Sequence, residues 1–145
     1  MFNNTMKFLF FLNFMAVSVQ SVFAQRIGIG KTDVQIISLY STGYNISSEY
    51  REDGGKTLYL SKTADKWTYY FRADSKYCYK SVYEPKSMDL ALKVFEYYNK
   101  KFVKLSDNLW VMKYEHPLYH VIIDIVIKKF SIDNNVYFAY INPND

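Results

Sequence analysis

KWTYYFRADSKYCYKSVYEP, residues 66–85, crowds seven aromatic rings and the chain's single cysteine into twenty positions. Whether that stretch is a ligand site or a sheet decides the fold. Side chains of an extended chain alternate between faces, so Trp67, Tyr69 and Phe71 share one side of a strand, and Tyr77, Tyr79 and Tyr83 share one side of the next. Ala73-Asp74-Ser75 supplies the turn between them. Tyrosine is a favoured strand residue, and rings facing each other across antiparallel strands stabilise by a few tenths to about 1 kcal/mol per pair. The stretch therefore predicts sheet, and needs no ligand to explain it.

Working outward, Thr32-Asp33-Val34-Gln35 is a capping box, in which the hydroxyl and the amide each satisfy an otherwise unpaired backbone N–H. Ile36, Ile37 and Tyr40 recur at helical spacing, and Gly43 is placed to end that helix. Strand patterns follow at 45–50, 57–61, 67–72 and 77–83. A second helix begins after Pro85, with Ser87 as N-cap and Asp89 in its first turn; Met88, Ala91, Leu92, Phe95, Tyr98 and Phe102 form its apolar stripe. Later strands are read at 110–114, 119–128 and 136–141, the last two separated by Asp133-Asn134-Asn135. With only Asp124 polar, the 122–127 run predicts a central strand covered on both faces. The class is α+β: an antiparallel β-sheet with two helices packed on one face. Sliding the second half onto the first by 55 residues matches Thr32 with Ser87, Ile37 with Leu92 and Tyr40 with Phe95. That pattern suits a duplicated α-βββ unit, or two halves made alike by packing alone.

Residues 1–24 carry one charge at Lys7, an apolar run from Phe8 to Val19 and the small-residue ending Val22-Phe23-Ala24. This is the order of an export signal peptide, and its apolar run falls short of the roughly twenty residues a membrane-spanning helix needs. Cleavage after Ala24 would leave a single domain over 25–145, with no cysteine at Gln25 to take a lipid and no integral membrane anchor. The expected location is periplasmic or extracellular. The mature chain keeps 17 of the 18 Lys and Arg and all 14 Asp and Glu, a net of +3, which names no polyanionic partner. It also keeps all 15 tyrosines but only 5 of the 11 phenylalanines.

The order of elements, together with GIGKTDVQII (28–37), the aromatic strands and NKKFVKLSDNLW (99–110), resembles uncharacterised small exported proteins of Gram-negative bacteria. Its architecture is similar to that of β-lactamase-inhibitor-like proteins and outer-membrane assembly lipoproteins, although the lipid-acceptor cysteine of the latter is missing. The resemblance implies a binding module, by analogy of fold.

Candidate chemistry is sparse. His116 and His120 are the only histidines, and Pro117 breaks the helix that would set them on one face, so no metal site is expected. Cys78 sits among strand tyrosines with no cysteine partner in the chain, and no Gly-x-Ser-x-Gly elbow accompanies a base. Glu49 and Glu52 flank a turn rather than a cleft, and Gly28-x-Gly30 lacks the third glycine of a dinucleotide loop. No cofactor is implied. Lysines among the aromatics of 66–80 suit a single-strand nucleic-acid platform, but export argues against a nucleic-acid partner. The remaining feature is the tyrosine surplus. It points to a non-enzymatic module that recognises an envelope or extracellular protein, or a glycan, through Trp67, Tyr69, Tyr79 and Tyr83 on the sheet face the helices leave bare. The alternatives are a small hydrolase or metal-dependent enzyme, or an aromatic carbohydrate-binding module. The discriminating property is the solvent exposure of those four side chains.

Overall fold

The computed structural model describes residues 26–144, and the export segment expected over 1–24 lies outside the described residues. Thr32 opens helix α1 (Asp33–Tyr40) through the anticipated capping box: its hydroxyl accepts from the Gln35 N–H, and its own N–H donates to the Gln35 side chain. Gly43, at φ +79°, turns the chain away after the helix. A meander of four strands follows, β1 (Asn45–Tyr50), β2 (Lys56–Ser61), β3 (Asp65–Phe71) and β4 (Cys78–Pro85). Ser87 caps helix α2 (Met88–Lys101), which has Asp89 at its positive end and Lys100 and Lys101 at its negative end. The second meander is β5 (Val103–Ser106), β6 (Leu109–Glu115), β7 (Ile122–Ile132) and β8 (Asn135–Ile141). Asp133 and Asn134, both at positive φ, form the β7–β8 turn, a conformation these residue types tolerate.

All eight strands join one antiparallel sheet in the order β1-β2-β3-β4-β8-β7-β6-β5. The two meanders meet last strand to last strand, from Lys80↔Ile141 to Tyr83↔Phe138. Each half is a helix followed by four strands, one more in the second half than the sequence pattern gave. The strand missed is β5, whose four exposed residues show no buried alternation.

Register fixes the core. Leu58, Tyr69, Ser81, Tyr140, Ile127 and Trp110 form one row across six strands, and Leu60, Trp67, Tyr83 and Phe138 form the next. Every residue in both rows is at most 1% exposed. Both helices lie on this face: Ile36 of α1 and the Tyr69 ring meet around Gly28, while Tyr98 of α2 stands edge-on to Phe138 at 5.2 Å and bonds the Tyr140 hydroxyl. A third element shares the face. Residues 26–31 cross it with Ile27 and Ile29 fully buried, held by Tyr69 Oη to Arg26 O, Tyr114 Oη to Ile29 O, and a backbone exchange with Cys78.

Two packing expectations need correction. The buried stripe of α2 is Ala91, Val94 and Tyr98, with Phe95 partly buried against Trp110; Leu92 and Met88 are exposed. The helix is turned from the sequence-derived stripe because its contacts are set by the Trp110, Phe138 and Tyr140 rings. Strand β7 is interior to the sheet but covered on one face only: Ile125 and Ile127 are buried, whereas Val126 looks out and Ile122 is exposed.

Candidate functional site

The four aromatic residues expected to form a surface are not together on one. Trp67, Tyr69 and Tyr83 are buried beneath the helices and the 26–31 segment, at 1%, 0% and 0% exposure. This corrects their assignment as exposed recognition residues. The physical reason is that a phenol can be buried at little cost when its hydroxyl finds a partner. Tyr69 donates to Arg26 O, Tyr83 to the buried Asp65 carboxylate, and Tyr44 to the same carboxylate at 2.7 Å. The Trp67 ring packs between Tyr83 at 4.7 Å and Tyr140 at 5.6 Å. Burial raises the phenol of Tyr69 well above its ordinary value, and those of Tyr83 and Tyr44 for the same reason, reinforced by Asp65. Much of the tyrosine surplus thus belongs to the core.

Tyr79 is the exception. Phe71 pairs with Cys78 while Tyr70 pairs with Lys80, so Tyr79 is an extra residue at a β-bulge, and the bulge breaks the alternation that would have set it beside Tyr83. Its half-buried ring lies 4.9 Å from the Arg72 guanidinium, and its phenol interacts electrostatically with that of Tyr70. Tyr70 belongs to the opposite sheet face, which neither helix covers.

That uncovered face carries an unbroken register row through all eight strands: Glu49, Thr57, Tyr70, Lys80, Ile141, Val126, Val111 and Val103. Thr57 in that row is buried beneath Arg51, whose guanidinium donates to its hydroxyl, and the β1–β4 half of the face around it carries rings and cations. The Tyr70 ring has the Arg51 guanidinium at 5.8 Å and Lys80 Nζ at 5.2 Å, and Tyr59 has Lys66 Nζ at 4.4 Å. The Tyr59 hydroxyl donates to Glu49, a bond that pushes this phenol up to about 12. Arg51 is fixed at the rim by bonds to Lys56 O and Phe71 O. The second half of the row, Ile141 through Val103, is aliphatic and is nowhere fully buried. Sequence periodicity could have found Tyr59 and Tyr70 as the outward set of β2 and β3; what it lacked was the side on which the helices sit.

The other candidates resolve simply. Cys78 is 2% exposed, with Sγ directed at Lys80 O at 3.2 Å, which marks a core thiol. His116 is buried, stacks on Tyr119 at 4.7 Å and accepts from the Leu118 N–H, whereas His120 is exposed beside Glu115. Among the described residues no group of three or more His, Cys, Asp or Glu side chains is placed to hold a metal ion. A groove of about 660 Å³ runs beside the start of α1, lined by Asp33, Tyr50, Lys56, Arg72, Asp74 and Lys76 among others. Asp33 pairs with Lys56 there, and the mixed charge singles out no ligand class. Among the described residues no helix is long and apolar enough to cross a membrane. Comparison with protein-family models, curated proteins and solved structures finds no match to this chain.

Proposed function

We propose that this protein is an exported, non-enzymatic binding module that recognises an envelope or extracellular protein through the uncovered face of its sheet. The observation that carries the reading is the sheet face no helix covers, on which the cation-flanked Tyr59 and Tyr70 of neighbouring rows adjoin the aliphatic strip from Ile141 to Val103. Tyrosine and arginine supply much of the energy of protein interfaces, and an apolar strip rimmed by charge is the usual form of such a surface. A glycan is the weaker ligand, because sugars stack on open ring faces and the rings of Tyr59, Tyr70 and Tyr79 already carry cations. Arg51 is paired with Asp53 and Glu84 with Lys86, which leaves Lys66, Arg72 and Lys80 over the rings, so the partner presents acidic groups and binding weakens with salt.

The test is capture of extracytoplasmic proteins by the immobilised chain, compared with the reversal Lys66→Glu/Lys80→Glu. Both side chains are half-buried over tyrosine rings, and Lys66 stands opposite Glu84, so the variant should lose roughly 1–3 kcal/mol and its fold is verified by circular dichroism before capture is compared. The reading expects the captured protein to be lost at least tenfold in the variant and at high salt. Capture that is indifferent to both would remove the sheet face as the recognition surface.

A further inference from the structure

The two ends of the sheet are built differently. At one end β5 is four residues long, carries a register shift and presents Lys104, paired with Asp107. Short length, a bulge and a lysine are the devices by which proteins block edge-to-edge pairing. At the other end β1 has none of them. Its six residues, NISSEY, pair with β2 in unbroken register, contain neither proline nor lysine and are all exposed. Among the described residues nothing pairs with its outer edge.

The strand is also complementary to itself. The Arg51 N–H donates to Gly55 O within the β1–β2 hairpin, so by antiparallel alternation Asn45, Ser47 and Glu49 turn their backbone groups toward β2, while Ile46, Ser48 and Tyr50 turn theirs outward. Ile46 and Tyr50 share the helix-side face, are 49% and 78% exposed, and stand symmetrically about Ser48. A two-fold axis through Ser48 sets Ile46 opposite Tyr50 of a second copy twice over, Ser48 opposite Ser48, and Ser47 opposite Glu49. Aromatic rings opposite β-branched residues are favourable cross-strand pairs. Moving the axis to Glu49 would oppose two carboxylates, and moving it to Ser47 would leave Tyr50 opposite residue 44, outside the strand. At the Ser48 axis Glu49 is drawn over β2 by the Tyr59 hydroxyl, away from its copy.

We propose that β1 is a homodimerisation edge, pairing antiparallel with β1 of a second copy about a two-fold axis through Ser48 to give one continuous sheet. The interface is isologous, as closed dimers require, and is independent of the uncovered face. Pairing over six residues buries less than the roughly 1,600 Å² of a standard interface, so the dimer dissociates on dilution.

Sedimentation velocity from micromolar to millimolar protein tests this, with Ser48→Pro and Tyr50→Lys as variants. The Ser48 nitrogen faces the free edge, so proline removes a bond across the dimer and none within the monomer; a lysine at position 50 adds the missing guard. The expected result is a dimer fraction that rises with concentration in the native chain and is lost in both variants, with the monomer's circular dichroism intact. If Ser48→Pro fails to fold, Tyr50→Lys decides alone. A chain that stays monomeric throughout, one that stays monomeric while its β1 edge takes up a peptide from another protein, or a dimer that survives Tyr50→Lys would overturn the proposal.

Discussion

Gly30 and Gly43 hold nearly the same backbone, at φ +76° and +79°, in very different surroundings. A Cβ on Gly43 would meet nothing within 4 Å, whereas one on Gly30 would stand 2.7 Å from His116 Cε1 and Nε2 and 3.0 Å from Pro117. Gly43→Ala should therefore cost only the left-handed backbone term, roughly 1–2 kcal/mol. Gly30→Ala adds roughly 1–3 kcal/mol of overpacking. Denaturant unfolding of the two variants separates the terms, and equal losses would mean that residues 26–31 do not pack against His116. In the sequence, Gly28-x-Gly30 is only an incomplete dinucleotide fingerprint. Its actual role, letting Ile27 and Ile29 pass beneath Tyr69 and His116, depends on contacts with residues some 40 and 85 positions away, which no local pattern reveals. The same distance hides the fate of Tyr69: its hydroxyl is satisfied by Arg26 O, so it can be core although tyrosine reads as a surface aromatic.

The existence of the elements was more legible than their ends or their orientation: the strand read at 119–128 runs from Ile122 to Ile132. The Thr32 capping box, the Ser87 N-cap, the turn residues and the period-two aromatic pattern of 66–85 locate both helices and seven of the eight strands, because those signals are local. Helix rotation is not local. Val94 is fully buried and Leu92 is 53% exposed, although the sequence stripe ran through Leu92. Val94→Ala should then cost about 1.5–3 kcal/mol in chemical unfolding, from lost transfer energy plus a cavity, and Leu92→Ala under about 0.5 kcal/mol. The opposite ranking would return the helix to the sequence-derived stripe. The bulge at Tyr79 is likewise invisible in residue types: one extra residue undoes the alternation that grouped Tyr79 with Tyr83.

At the scale of the molecule, one sheet separates two uses of aromatic residues. On the covered face, burial raises the phenols of Tyr69, Tyr83, Tyr98, Tyr114 and Tyr140, and takes that of Tyr40 up to about 12. A phenol held above its unfolded value of about 10 stabilises the fold fully below that pH, and the contribution is lost as pH rises through the folded value. With several such groups acting together, stability should fall steeply above about pH 10, and tyrosinate absorbance should jump at the same pH as the loss of circular dichroism. Exposed tyrosines such as Tyr50 and Tyr119 ionise without unfolding, but gradual ionisation of every tyrosine with no cooperative step would place the buried rings in solvent. On the uncovered face, Tyr59, Tyr70 and Tyr79 with their cations, and the strip from Ile141 to Val103, form the surface proposed for recognition. The most direct test is a photo-crosslinking amino acid placed at Tyr70 in the native host cell, with Leu92 on the outside of α2 as the comparison site. The account predicts a discrete crosslinked partner from position 70 and none from position 92; a partner captured from 92 alone, or none from either, would contradict it.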